Sequence, residues 1–336
     1  MPTLDIAIIG CGRMGSIRAL GAVRLGAAVR AVFDNDAARA HQLANALPDC
    51  RIGSLSDDSD WSSFDAVFVC TPPAERRSAH QAILQGVPTF MEKPIGIHAS
   101  DAASLVRAAE RLHVLTAVGY MNRYRDTIAT ARQQLRCSTL LGASAHWVNG
   151  TYGVPWWTSS GVSGGSLNEQ ATHVVDLFRY LLGEPHAVHA MATLHPQHPG
   201  IVGNAALSLS FADGVLATLL YSCRAQAKAI GLHLFTSAGE MVLQDWNFHA
   251  VGVQQPTPNG MALEQDKNQI FDTETGAFLS AVTTGNASFI RCTLADALQT
   301  QRVLDAAGQS LMSGCACPVR MDDEPGSQAN HPASRV

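Results

Sequence analysis

The first third of the chain alternates between short apolar runs and segments of helical composition. Residues 4–9 are apolar and β-branched, which fits a buried strand, and a helical segment at 16–25 follows them. Further apolar runs lie at 28–33, 66–70, 87–91 and 115–119, and helical segments lie at 38–46 and 77–85. Strands that alternate with helices in this way predict a doubly wound, parallel α/β sheet.

The rest of the chain has a different pattern, in which strands follow one another directly. Apolar runs predict strands at 143–148, 205–211, 215–221 and 232–237. Asp213-Gly214 predicts a hairpin turn between the middle two. We expect an amphipathic helix at 288–307 and disorder at 321–336, where polar residues, proline and glycine dominate.

A glycine-rich hexapeptide joins the first strand to the first helix. In this setting Gly10 permits a tight turn, Gly12 lets the backbone approach a pyrophosphate, and Gly15 lets the helix pack closely on the strand. The helix N-terminus offers N–H groups and a positive dipole end to the phosphates. The motif therefore predicts a dinucleotide site with contacts from Gly10, Gly12, Arg13, Met14 and Gly15.

Asp34 ends the second strand, about 20 residues after the last glycine of the motif. A carboxylate at this place would accept hydrogen bonds from a ribose diol and repel a 2′-phosphate. Asn35 and Asp36 offer no cation to bind that phosphate, although Arg39 is not far away. Asp34 therefore favours NAD over NADP as the cofactor.

Two loops follow the carboxyl ends of later strands, where ligands of parallel α/β sheets bind. Because both loops should line the cofactor crevice, we expect cofactor contacts from Thr71, Pro72, Pro73, Glu92 and Lys93. Glu92 is better suited to organise its loop or contact the cofactor than to transfer protons.

Composition narrows the functional classes. The 336 residues suffice for two domains, and 46% hydrophobic and 15% charged residues indicate a globular protein. A formal net charge of -5 gives no electrostatic reason to expect nucleic acid or a membrane surface as a partner. The eight cysteines lack metal-binding spacing, so we expect no metal and reduced thiols in a cytoplasmic protein.

Four segments in order, at 10–15, 70–73, 92–94 and 164–173, match one known family. The chain resembles the glucose–fructose oxidoreductase, inositol dehydrogenase and rhizopine catabolism protein family. The resemblance implies an N-terminal Rossmann domain at 1–120. It also implies an α+β domain with a large open, mostly antiparallel sheet at 121–321, which binds substrate and mediates oligomerisation. Residues 322–336 would form a disordered tail.

The resemblance also implies a reaction and an assembly. Members transfer hydride between a nicotinamide cofactor and a secondary alcohol or ketone of a sugar, sugar derivative or cyclitol. They commonly pair through the exposed face of the second sheet, so a homodimer or homotetramer is expected. The family's catalytic lysine and histidine map onto Lys93 and His173. Its usual aspartate, four residues before the histidine, is Glu169 here. The resemblance thus makes Glu169 a third catalytic candidate, and Glu169 and His173 are expected to contact the substrate, although the longer side chain puts the carboxylate's role in doubt.

These residue types suit the oxidation of an alcohol. The Lys93 ammonium can stabilise a developing alkoxide, and His173 is a natural acid or base near neutral pH. A helix from Gly164 to about Leu182 would place Glu169 and His173 on one face. Asp176 lies near that face and could hydrogen-bond the imidazole and fix its tautomer, or could instead have a purely structural role.

Other residues are candidates for substrate contacts. Trp156 and Trp157 lie in a glycine-rich loop and could cover the C–H faces of a sugar ring, or could instead be core or interface residues. Asn122 and Arg123 follow the last strand of the first sheet and could border the nicotinamide or substrate. For Arg123, a bracing role at the domain junction is the alternative.

Three other activities are compatible with the same sequence. Relatives with this framework oxidise aromatic dihydrodiols or cleave glycosides by transient oxidation. A non-catalytic dinucleotide sensor is the third alternative, and the complete pair of Lys93 and His173 argues against it.

Overall fold

The computed structural model describes residues 3–56, 58–251 and 269–320. The tail at 322–336, for which the sequence predicts disorder, lies outside the described residues. Two sheets and their helices make up the described structure.

The first sheet has six parallel strands in the order β3-β2-β1-β4-β5-β6. Their bounds are β1 Asp5–Ile9, β2 Ala28–Phe33, β3 Arg51–Ile52, β4 Ala66–Val69, β5 Thr89–Met91 and β6 Thr116–Val118. The central strands are buried on both faces, which explains why they appear in the sequence as continuous apolar runs. The predicted doubly wound parallel sheet is confirmed.

The second sheet has eight strands in the order β13-β12-β11-β7-β10-β9-β8-β14. Their bounds are β7 Leu140–Val148, β8 Ala187–His195, β9 His198–Ser210, β10 Leu216–Ser222, β11 Ala229–Thr236, β12 Gly239–Gln244, β13 His249–Val251 and β14 Cys317–Pro318. Strands β7 and β10 pair in parallel and the other neighbours pair antiparallel. The predicted open, mostly antiparallel sheet and the β9–β10 hairpin are confirmed.

The α-helices lie between and around the two sheets. Their bounds are α1 Arg13–Arg24, α2 Ala37–Ala44, α3 Arg77–Leu84, α4 Ala99–Arg111, α5 Asp126–Leu135, α6 Ser160–Ser163, α7 Thr172–Leu182, α8 Gln269–Thr284 and α9 Leu294–Ser313. The sequence placed the start of the last helix at residue 288. The helix instead begins at Leu294, because the Thr293 hydroxyl accepts a hydrogen bond from the Asp296 N–H and caps it.

The last two helices return to the first sheet. Phe278 and Leu279 of α8 join α1 and α2 on one face of that sheet. Ala297 and Leu298 of α9 join α3 and α4 on the other face. The core of the first sheet is therefore completed by residues that the sequence assigned to the second domain, and the boundary at 120 stays a prediction.

Arg123 holds the junction between the two parts. Its guanidinium, 2% exposed, donates to both carboxylate oxygens of Asp176 at 2.7 and 2.9 Å. It also pairs with Asp296 and donates to the Arg291 carbonyl at 2.7 Å. Of the two roles that the sequence left open for Arg123, these contacts support the brace.

Replacing Arg123 with alanine should destabilise the protein strongly. The change removes the bidentate partner of buried Asp176 and leaves it only Arg179, 4.0 Å away, so we expect a loss of about 3–5 kcal/mol in the free energy of unfolding. Urea unfolding followed by circular dichroism measures it. Arg136→Ala, at an exposed position beyond α5, is the control and should change the value by under about 0.5 kcal/mol. Equal losses in both variants would show that Arg123 is not a brace.

Candidate active site

The glycine loop between β1 and α1 has the geometry of a phosphate cradle. Gly10 has a φ of +90°, and a Cβ at Gly15 would lie 1.8 Å from the Gly10 carbonyl oxygen. At Gly12 a Cβ would meet nothing within 4 Å. Two glycines are thus required by the fold itself, while Gly12 leaves open space at the N-terminus of α1, where Arg13 and Met14 begin the helix.

Asp34 lies beside this loop. Its carboxylate accepts hydrogen bonds from the Cys11 N–H at 2.6 Å and the Asp36 N–H at 2.8 Å. Arg39 forms an ion pair with Asp36 at 3.2 Å and is exposed. The Asp34 carboxylate therefore lies at the rim of the cradle. Because the nearby cation, Arg39, is already paired with Asp36, the arrangement fits a preference for NAD.

Arg76 joins the two loops that the sequence assigned to the cofactor crevice. It donates to the carbonyl oxygens of Thr71 and Pro72 in one loop, at 3.2 and 2.9 Å. In the other it donates to the carbonyls of Pro94 and Ile95. Sequence reasoning missed Arg76, because its position before a helix of ordinary composition resembles that of a surface arginine.

Glu92 occupies a buried charge cluster beneath the loop. The guanidinium of Arg18, fully buried, donates to Glu92 at 2.8 Å and to Glu274 at 2.5 Å. Burial raises the pKa of Glu274 to about 7. The structure places the Glu92 carboxylate against Arg18, beneath the loop that Glu92 begins.

Lys93 and Glu169 meet between the two sheets. The Lys93 Nζ donates to the main-chain carbonyl of Glu169 at 2.9 Å and lies 3.5 Å from its carboxylate Oε2. Burial raises the pKa of Glu169 although the charge of Lys93 opposes this. The other carboxylate oxygen, Oε1, is buried without a hydrogen-bond partner among the described residues.

His173 lies in the same buried region, stacked on Trp147 of β7 with ring centroids 5.0 Å apart. Burial, and then the charges of Lys93 and Arg125, lower its pKa well below the usual value. Its Nδ1 has no hydrogen-bond partner in the described part of the chain. The hypothesis that Asp176 orients this imidazole is wrong, because the Asp176 carboxylate binds Arg123.

The helix that carries these groups differs from the expected one. Residues Leu167–Ala171 form a π-helical turn, and α7 begins only at Thr172. Asn168 donates to the Gly96 carbonyl at 3.0 Å, and Gln170 accepts from the Tyr221 hydroxyl at 3.2 Å. The wide turn directs Asn168 and Gln170 to partners in two different parts of the chain, Gly96 and Tyr221, and holds Glu169 between them. Such π-turns are frequent at functional sites.

The two tryptophan candidates differ in burial. Trp157 is fully buried in the core of the second sheet, with the Tyr152 ring 5.3 Å away. Trp156 is half-buried against the same core. The placement of Trp157 fits the alternative of a core residue. Trp147, which sequence reasoning did not single out, is the aromatic residue that contacts His173.

Asn122 is 2% exposed and lies at the start of the second part of the chain. Its Oδ1 accepts a hydrogen bond from the Nε of Arg125 at 2.8 Å. Sequence reasoning did not single out Arg125, because it resembles any polar residue that precedes a helix. Together with Lys93, it contributes positive charge to the surroundings of His173.

The described residues contain neither a membrane-spanning helix nor a metal-binding cluster. Within 3–56, 58–251 and 269–320, no helix is long and apolar enough to cross a membrane. The same residues contain no group of three or more histidine, cysteine, aspartate or glutamate side chains arranged to hold a metal ion.

Alanine substitutions at two glycines should separate folding from cofactor binding. Gly15→Ala places a Cβ against the Gly10 carbonyl, so its melting temperature should fall by several degrees. Gly12→Ala meets no protein atom and should melt like the wild type, but its methyl group occupies the open space of the cradle. We expect its NAD affinity, measured by calorimetry, to fall about tenfold or more. Unchanged NAD affinity would argue against phosphates at this loop.

The buried His173 should make stability depend on pH. Because its pKa is lower in the folded than in the unfolded state, the unfolded state takes up the proton first, and stability is lost as pH falls below about 6.5. Its contribution cannot exceed about 1.4 kcal/mol per pH unit. His173→Asn should show a shallower decline between pH 7 and 5 in urea unfolding, whereas exposed His186→Asn should follow the wild type. Parallel curves for all three proteins would contradict a buried neutral His173.

Comparison with known proteins assigns both parts of the chain to domains of one family. Residues 4–120 match a family model described as an oxidoreductase family with an NAD-binding Rossmann fold. Residues 135–242 match the C-terminal domain of the same Gfo/Idh/MocA family. Together the two matches span more than half of the chain.

Individual relatives agree with this assignment. The chain is 30% identical to an inositol 2-dehydrogenase of Arthrobacter sp. over 54% of its own length and 55% of the relative's, so the match spans about half of that protein. It is 27% identical to inositol 2-dehydrogenase 3 of Saccharopolyspora erythraea over 96% of this chain and 98% of that one.

A solved structure shares the fold. GenD2 from gentamicin A biosynthesis, in complex with NAD, superposes with a TM-score of 0.83 at 22% identity, covering 95% of this chain and 97% of that chain. The glycine cradle, the two sheets and both family matches lead to one assignment. The chain belongs to the glucose–fructose oxidoreductase, inositol dehydrogenase and rhizopine catabolism protein family, with an NAD-binding Rossmann fold in its N-terminal part.

Proposed function

We propose that this protein is an NAD-dependent dehydrogenase that acts on a secondary alcohol or ketone of a sugar, sugar derivative or cyclitol. The observation that carries the proposal is the buried cluster of Lys93, Glu169 and His173 beside the carboxyl ends of the first sheet. Buried titratable groups with shifted pKa values concentrate at functional sites. The inositol dehydrogenases among the relatives favour this class of substrate.

The residues of the cradle fit NAD. Gly12 leaves the space that a pyrophosphate needs, and the Asp34 carboxylate at the rim suits a ribose diol. When bound, NAD supplies the hydride acceptor of the reaction. We therefore assign cofactor contacts to the glycine loop, to Asp34, and to the Thr71–Pro73 and Glu92–Lys93 loops that Arg76 joins.

Lys93 supplies positive charge to the reacting oxygen. Burial alone would lower its pKa, but the charge of Glu169 raises it, so the ammonium stays protonated at neutral pH. A protonated ammonium held in a site shielded from water stabilises negative charge on an alcohol oxygen as the proton leaves.

His173 takes that proton. Its lowered pKa keeps the imidazole neutral at pH 7, and a neutral imidazole has a lone pair that can accept the hydroxyl proton. Stacking on Trp147 fixes the plane of the ring. The Glu169 Oε1, buried without a partner in the described structure, is placed to accept a hydrogen bond from a second substrate hydroxyl.

We also propose self-association and a cytoplasmic location. The outer face of the second sheet exposes Met191 (69%) on β8 and Leu216 (59%) and Leu220 (55%) on β10, the two strands that flank β9. An apolar surface of this kind suits a homodimer or homotetramer. All eight cysteines are free thiols, as expected in a reducing compartment.

A substrate panel with purified protein tests the proposal. Inositols, aldoses, sugar acids, glycosides and an aromatic dihydrodiol are offered with NAD or NADP, and the absorbance of the reduced cofactor is followed. We expect NAD reduction with one class of sugar or cyclitol. Turnover of only the dihydrodiol, or cleavage of a glycoside without net reduction, would replace the proposal with those activities. NAD binding without any turnover would favour a sensor.

With the best substrate, His173→Asn should lower turnover about 10²- to 10⁴-fold, because the proton acceptor is lost. The control His186→Asn should keep wild-type turnover. Calorimetry should show that both variants bind NAD like the wild type. A raised KM with unchanged kcat in His173→Asn would assign His173 to binding alone.

A further inference from the structure

Arg125 is a buried cation whose hydrogen bonds are incomplete. Arg125 is only 5% exposed. The Nε donates to the Asn122 Oδ1 at 2.8 Å, and the Nη1 donates to the Asn247 Oδ1 at 3.2 Å. The third nitrogen, Nη2, is buried and has no partner in the described residues. Both partners are neutral amides, so neither one balances the charge.

Other buried arginines of this chain are satisfied. Arg18 binds two glutamates, Arg123 binds two aspartates, and Arg76 donates to carbonyl oxygens from all three of its nitrogens. Around Arg125, no carboxylate of the described residues lies within ion-pair distance, and the negative charge of Asp245 acts on it only from farther away. A buried charge without a counter-ion is costly. Arg125 differs from Arg18 and Arg123 in lacking a close carboxylate, and from all three arginines in its unpartnered Nη2. This difference indicates that Arg125 is held in place for a negative group of a ligand.

Asn122 offers a second donor of the same kind. Its amide nitrogen Nδ2 is also buried without a partner in the described part of the chain. Because its Oδ1 accepts from Arg125, the two residues form one hydrogen-bonded pair. Two N–H donors, one of them on a cation, match the two oxygens of a carboxylate, and a neutral hydroxyl group would leave the charge unbalanced.

A chain of contacts connects the pair with His173. Asn247, which accepts from Arg125, directly follows Trp246, and the Trp246 ring lies 6.0 Å from that of Trp147. Trp147 in turn stacks on His173. The charge of Arg125 is close enough to lower the pKa of His173. The contacts through Trp246 and Trp147 thus connect the pair with the surroundings of His173.

We propose that Arg125 and Asn122 form a carboxylate subsite, and that the substrate is a sugar acid. One carboxylate of the substrate accepts from the Arg125 Nη2 and the Asn122 Nδ2, while a secondary hydroxyl lies at Lys93 and His173. The inference rests on the proposed dehydrogenase function and names the substrate class for it. The subsite leaves the chemistry of hydride transfer unchanged and acts only on affinity and orientation.

Binding of matched sugars to the NADH complex tests the subsite without requiring turnover. D-glucuronate is compared with D-glucose, and D-galacturonate with D-galactose, by calorimetry at one ionic strength. We expect at least one acid to bind about 10- to 100-fold more tightly than its neutral partner, as for a charge-assisted contact. Equal binding of acids and neutral sugars, or no binding by either, overturns the subsite.

Two variants identify the residues responsible. Asn122→Asp introduces a carboxylate that pairs with Arg125 inside the protein, so it should raise the melting temperature and remove the preference for acids. Arg125→Gln should remove the preference as well, while Arg136→Gln, at an exposed position, should keep it. An acid preference that survives in both Asn122→Asp and Arg125→Gln would overturn the assignment.

The same samples separate this inference from the proposed function. Tight acid binding with no NAD reduction by any compound of the panel would refute the dehydrogenase and keep the anion subsite. NAD reduction with neutral sugars as efficient as with acids would refute the subsite and keep the dehydrogenase.

Discussion

Burial of charge between the two sheets is the constraint on which the site depends. Removing an ion from water costs several kcal/mol unless partners replace the lost hydration. Arg18 and Arg123 each satisfy this with two carboxylates drawn from distant parts of the chain. Because Glu92 is one of those carboxylates, its neighbour Lys93 is fixed where it meets Glu169. The ion pairs thus position Lys93 and Glu169, as well as holding the helices.

Much of the fold could be predicted from the sequence, because burial on both faces of parallel strands produces continuous apolar runs. The glycine motif was equally informative, since Gly10 and Gly15 are required by close backbone contacts. The resemblance supplied Lys93 and His173, which the structure brings together with Glu169. Strand and helix ends were less certain, as the cap at Thr293 illustrates, because one hydroxyl decides where a helix begins.

The contacts within the candidate site could not be predicted from the sequence, because they join distant segments of the chain. Arg76, Arg125 and Trp147 have no local signal, and their roles arise only when loops and strands of different regions meet. The π-turn at Leu167–Ala171 is a similar case, because Asn168 and Gln170 find partners on opposite sides. The sequence left the role of Asp176 open, because helical spacing identifies a shared face with His173 and does not reveal the stronger partner, Arg123.

The return of α8 and α9 to the first sheet affects how the chain matures on the ribosome. Phe68 and Phe90 of the first sheet pack against Phe278, which is translated about 190 to 210 residues after them. Domains commonly fold in order from the N-terminus during synthesis. Here the nascent Rossmann sheet keeps two apolar faces incompletely covered until the last helices emerge. Holdase chaperones that bind exposed aromatic surface would therefore act on this protein late in translation, and truncation before α8 would release an aggregation-prone fragment.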